Sequence, residues 1–172
     1  MAEEKSYEIL PEAHEIVKKL QERYPKILWA IVPEEYIVLG VSNKERPKTM
    51  KKLATINKLK PSIRTILHHI GKTDVRFYIE VYCSDWQNWG IPRRAAILMH
   101  ELAHVKGPDE IGLIQHDCQD FAFMVDGLGV DWPSKEALPN LLEGDPFPFK
   151  EELATRLHLK DEYENDPDGG GE

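Results

Sequence analysis

The chain has 172 residues, with 22 Lys and Arg against 30 Asp and Glu and a formal charge of −8, the size and balance of one soluble globular domain. Apolar residues at 41% and charged residues at 30% allow a real core and exclude disordered, collagen-like and coiled-coil chains. No apolar run approaches the roughly 18 residues needed to cross a bilayer. Residues 1–5 show no secretory signal or membrane anchor. Two cysteines, Cys83 and Cys118, make no disulfide framework, so a reducing cytoplasm is the expected compartment.

Charge is unevenly spread. Residues 44–64 hold eight bases and one acid, while residue 109 to the end holds seventeen acids and four bases. A nucleic-acid surface on the basic stretch is one reading, and a solvated basic segment is the commoner one. One domain is expected over residues 1–160, followed by a disordered tail over 161–172, which has six acids and three consecutive glycines with little to bury.

Residues 7–24 place Ile9, Ala13, Ile16, Val17, Leu20 and Tyr24 at steps of three and four, predicting one amphipathic helix with Ser6 as its cap. The Ile- and Val-rich runs 27–32 and 36–41 predict a strand-like segment and a strand, and 53–59 a weaker strand. Pro61 opens a short helix to Ile70, closed by Gly71. Residues 74–83 alternate Val75, Phe77, Ile79, Val81 and Cys83 with Arg76, Tyr78, Glu80 and Tyr82, the clearest strand in the chain. Pro92 then starts a largely buried helix that is expected to reach Gly107-Pro108. A further helix is expected over about 113–125, ended by Gly127 and Gly129. Residues 131–149, with four prolines, should wrap irregularly before a last short helix around 150–159.

Inside the buried helix stands His100-Glu101-Leu102-Ala103-His104, the H-E-x-x-H pattern. Residues four apart share a helix face, so both imidazoles can reach one tetrahedral zinc ion. Glu101 is rotated by about 100° from His100, which places it beside the metal as a base for the attacking water. Two histidines and a glutamate in an apolar helix are costly without partners, and one metal serves all three. Core histidines bonded to carbonyls, with the glutamate paired to Arg93 or Arg94, are the alternative.

A catalytic zinc takes three protein ligands and leaves one position open. Spacing leaves three candidates for the third. His116 lies on the next predicted helix. Glu110 extends the pattern to H-E-x-x-H-x-x-G-x-x-E, with Pro108 standing against it. Asp120 is one turn beyond His116, although a carboxylate so placed more usually orients a histidine, a role Asp117 can share. Cys118 reads as a small buried hydrophobe, His68 and His69 as helix-end residues, and His14 and His158 as exposed. Trp86, Trp89 and Trp132 read as core lids, the first two close enough to the motif helix to edge a cleft.

The order of parts resembles the Putative phage metallopeptidase family of the zincin superfamily. The likeness rests on strand 74–81, a tryptophan-containing link, the helix ending Leu98-Met99-His100-Glu101-Leu102-Ala103-His104-Val105, the segment His116-Asp117-Cys118-Gln119-Asp120-Phe121, and Gly129-Val130-Asp131-Trp132, a span of about 36–132. The resemblance implies a small zincin-like α+β fold, with a short, mainly antiparallel sheet packed on the H-E-x-x-H helix and a following ligand helix. It also implies one Zn²⁺ held by His100, His104 and His116, and Glu101 as base. A zinc peptidase acting on protein or peptide follows. In zincins the strand before the active helix usually pairs with extended substrate, so Tyr78, Glu80 and Tyr82 are expected to line the cleft, with Tyr78, Tyr82 and Arg93 as oxyanion candidates. Two other classes remain. One is a module with a structural zinc whose basic stretch contacts nucleic acid, with the DNA-associated SprT-like proteases as a broader analogy; the other is a host-protein regulator without turnover.

Overall fold

The structure, a computed structural model, describes residues 5–42, 53–71, 74–107, 112–116 and 120–155. The expected disordered tail, residues 44–52 of the basic stretch, and Glu110, Asp117, Cys118 and His158 lie outside these residues.

Among the described residues a four-stranded sheet carries five helices, an α+β arrangement consistent with a small zincin-like fold. The strands are β1 (Ser6–Ile9), β2 (Tyr36–Ser42), β3 (Ala54–Lys58) and β4 (Phe77–Tyr82), in the spatial order β1-β2-β4-β3. The two outer pairings are antiparallel and the central β2·β4 pairing is parallel. The sheet is therefore mixed, with antiparallel pairs in the majority.

Residues 6–9 are a strand where helix was expected. Pro11 is the reason: it lacks an N–H and disfavours helical backbone in the residue before it. Helix α1 (Pro11–Arg23) therefore starts at the proline, and Ser6 does not cap it. Leu10 stays extended and donates to Val38 O at 2.9 Å. Ala13, Ile16, Val17 and Leu20 bury the face that the spacing predicts. Residues 27–32 do not form a strand: Ile27, Leu28, Ala30 and Ile31 are buried but wound in turns, because a two-on, one-off burial pattern suits no flat strand face.

β3, helix α2 (Pro61–His69) and β4 fall where expected, and β4 alternates buried and half-buried side chains along its length. A short helix, α3 (Cys83–Asn88), follows β4 directly and was not foreseen. The motif helix α4 (Ile91–Ala103) has Pro92 in its first turn and buries Ala95 through Met99, Leu102 and Ala103. It ends earlier than expected. His104 and Val105 bond back to Glu101 O and Leu102 O, after which the chain turns extended and Val105 bridges to Leu113.

That bridge also corrects the next helix. Residues 112–116 are extended, and α5 spans Ala122–Leu128, so His116 stands on an extended segment and not on a helix. Gly129, at φ 86°, ends α5, a backbone angle that glycine adopts without strain. Residues beyond it wrap irregularly, tied down by Arg23 to Leu141 O (2.8 Å) and by the Tyr24 hydroxyl to the same carbonyl (3.2 Å). Of the last expected helix, around 150–159, the described residues show a 3₁₀ turn, Glu151–Leu153, and a helical Thr155, while 156–159 lie outside them. No helix there is long and apolar enough to cross a membrane.

Candidate metal centre

α4 brings His100 and His104 to one face, and the extended return 112–116 lays His116 against both. His116 Nε2 lies 3.2 Å from His100 Nε2 and 3.1 Å from His104 Nε2. Among the described residues these three histidines form one potential metal group, their ligand atoms all within 4.8 Å of one another.

The outer ring nitrogens explain why the inner ones face each other. His104 Nδ1 is 2.8 Å from Ile114 O. A carbonyl only accepts, so Nδ1 carries the proton and Nε2 presents a lone pair inward. His100 Nδ1 is 2.8 Å from Asp120 Oδ1. Burial alone would push the Asp120 carboxyl up, but His100, Trp132 Nε1 (2.7 Å) and Phe121 N–H (2.7 Å) together hold it below the ordinary value and ionised. An ionised Asp120 likewise keeps the His100 proton on Nδ1. Burial pushes His104 down to about 4, against the raising effect of Ile114 O, with His100 and His116 lowering it further. The ring is therefore neutral near pH 7.

Two lone pairs thus converge on His116 Nε2, and one proton there can satisfy only one of them at a time. A cation satisfies all three. Imidazole nitrogens at 2.0–2.1 Å on the corners of a tetrahedron stand about 3.3 Å apart, close to the spacing observed, so the residues present fit a bound metal.

The histidines sit in a cavity of about 590 Å³. Its walls include Leu53, Ala54, Thr55 and Ile56 of the β3 segment, Ile97 and Glu101 of α4, Leu113, Ile114 and Gln115, and Trp132 and Pro133. Glu101 is only 6% exposed, and its Oε2 accepts the Ile56 main-chain N–H at 2.8 Å.

The expected cleft residues are placed otherwise. β4 is paired on both edges, so it has no main-chain groups left for an incoming peptide, and Tyr78, Glu80 and Tyr82 line none of this cavity. The strand that does is β3, an outer strand of the sheet. Arg93 is turned away, donating to Pro133 O at 2.5 Å and to Lys135 O. Trp86 is buried, donates to Glu12 at 2.8 Å and lies under Arg94; neither it nor Trp89 lines the cavity. Trp132 does, while also holding Asp120. The sequence reading missed Ile114 O and Ile56 N–H because main-chain groups leave no residue signature.

A family model described as Putative phage metallopeptidase matches residues 5–142, most of the chain. The chain belongs to the Putative phage metallopeptidase family. The match includes β1 and α1, which precede the 36–132 span on which the resemblance rests. Family membership implies a hydrolase of protein or peptide that uses a metal, and the His100, His104 and His116 group could hold one. No curated protein and no solved structure matches the chain.

Proposed function

We propose that this chain is an H-E-x-x-H zinc peptidase, with His100, His104 and His116 as ligands and Glu101 as general base. The observation that carries the reading is the convergence of three Nε2 atoms inside a cavity whose wall includes a buried carboxylate. An all-imidazole donor set suits zinc among the common divalent ions. When bound, zinc polarises a carbonyl and makes a neighbouring water acidic near neutral pH.

The chain's own residues supply the rest. Asp120 and Ile114 O fix the tautomers of His100 and His104, so both present lone pairs without rearrangement. Glu101 takes the proton of the attacking water and passes it to the leaving amine, the two halves of general acid–base catalysis. Leu53, Ile56, Ile97, Leu113, Ile114 and Trp132 give the cavity an apolar wall, which favours an extended segment with apolar side chains beside the cut bond. With β4 enclosed, β3 offers the edge along which that segment lies.

Depletion and reconstitution test this reading. Protein stripped with a chelator should not cut an unfolded protein, and one equivalent of zinc should restore cutting. Restoration by magnesium but not by zinc would contradict it.

A further inference from the structure

Pairing with β4 decides which main-chain groups of β3 face outward. In an antiparallel pair, residues alternate between exchanging both main-chain bonds with the partner and pointing both away. Leu59 donates to Arg76 O at 2.8 Å, in step with Asn57 opposite Tyr78 and Thr55 opposite Glu80. Ala54, Ile56 and Lys58 therefore turn their N–H and C=O groups to the outer edge. A bond from Ile56 N–H to a residue of α4, not of β4, agrees with that phase.

The acceptor of that bond is Glu101, at 2.8 Å. The carboxylate next to His100 in sequence is thus tied to the same edge that an extended peptide would join, at a residue that itself lines the cavity. A peptide carbonyl that pairs with Ile56 must take the hydrogen bond from Glu101, because one N–H makes one good bond. The exchange conserves the number of hydrogen bonds at Ile56 and removes one donor from the Glu101 carboxylate.

We infer that the Ile56 main-chain N–H is a shared donor: it bonds Glu101 at the β3 edge in the empty cleft and passes to a backbone carbonyl of an extended apolar substrate, so that docking takes this bond from the base. Ile56 is in this sense a positioning residue, acting through Glu101. The role of the carboxylate as base rests on the peptidase reading above, whereas the exchange of partners at Ile56 does not.

Two variants of the zinc-loaded full chain separate the outcomes. Glu101→Gln keeps an oxygen acceptor and loses the charge; Glu101→Ala loses both. Neither retains the base, so a peptide stays intact during measurement. The probe is a capped, fluorescein-labelled Ala-Leu-Ala-Leu-Ala peptide, chosen for the apolar walls. Hydrogen exchange of the Ile56 amide without peptide should be slow in the wild type and in Glu101→Gln and at least about tenfold faster in Glu101→Ala, and peptide should restore protection in Glu101→Ala. The peptide should also bind Glu101→Ala about fivefold more tightly than Glu101→Gln, as release from one competing hydrogen bond requires. Equal exchange in all three proteins overturns the shared donor. Equal peptide affinity in the two variants, or binding to neither, overturns the handover. A wild type that cuts no protein contradicts the peptidase reading but leaves the Ile56 exchange result standing, so the two failures are distinct.

Discussion

Ile114 holds His104 twice: its main-chain N–H donates to His104 O at 2.6 Å, and its carbonyl oxygen lies 2.8 Å from His104 Nδ1. One residue on the extended return thereby ends the helix hydrogen bonding at His104 and sets the tautomer of its ring. The same return delivers His116, two residues on. Placement of His116 and helix termination are a single structural event here, which is why the motif helix stops at its second histidine.

Asp120 does for His100 what Ile114 does for His104, but with a side chain, so it can be tested by substitution. Asp120→Asn keeps one oxygen for Trp132 or Phe121 and can present an amide N–H to His100, which turns the wrong ring nitrogen into the acceptor. Zinc affinity, read by competition with a chromophoric chelator, should fall roughly 10–100-fold, with the fold retained by circular dichroism. Unchanged affinity would show that the carboxylate only packs.

The metal-free protein should lose stability as pH falls. His104 has a folded value of about 4 against an ordinary 6.5, so between those values the unfolded chain binds a proton that the folded chain does not. The contribution is fully present above about pH 6.5 and is lost as the pH drops toward 4. Chemical melts at pH 7, 6, 5 and 4 should show this slope, and His104→Ala should flatten part of it. A stability that rises on acidification over that window would contradict the neutral, buried ring.

Leu102 is the third residue of the motif, fully buried, and touches no chemistry. Leu102→Ala should cost about 2–5 kcal/mol of unfolding free energy, as large-to-small changes in packed cores do, measured by urea denaturation. Activity per folded molecule should stay within a few-fold of wild type. A large loss of activity with little loss of stability would mean that Leu102 shapes the cleft itself.

The helix that carries His100, Glu101 and His104 and the strand over Phe77–Tyr82 were legible because burial imposes a period on their residues, three to four in one case and two in the other. The placement of His116 was not. Its neighbours have helical spacing in the sequence, yet the backbone bonds of residues 112–114 go sideways to His104, Val105 and Lys106, a long-range pairing that overrides local preference. The start of the chain failed for a nameable reason, since Pro11 carries its own conformational rule and Tyr7 and Ile9 matched a helix only by count. The cleft strand was misassigned because alternation identifies a strand without saying whether its edges are free. β4 lies between β2 and β3, and only the pairing shows it.

Turnover and zinc content measured on the same sample of Glu101→Gln test the central claim most directly. Glu101 is assigned to the water and not to the metal, so the variant should bind one equivalent of zinc with near-wild-type affinity while its rate of cutting an unfolded protein falls by at least about 100-fold, the low end for loss of a general base. Zinc lost together with activity, or activity kept with zinc bound, would contradict it.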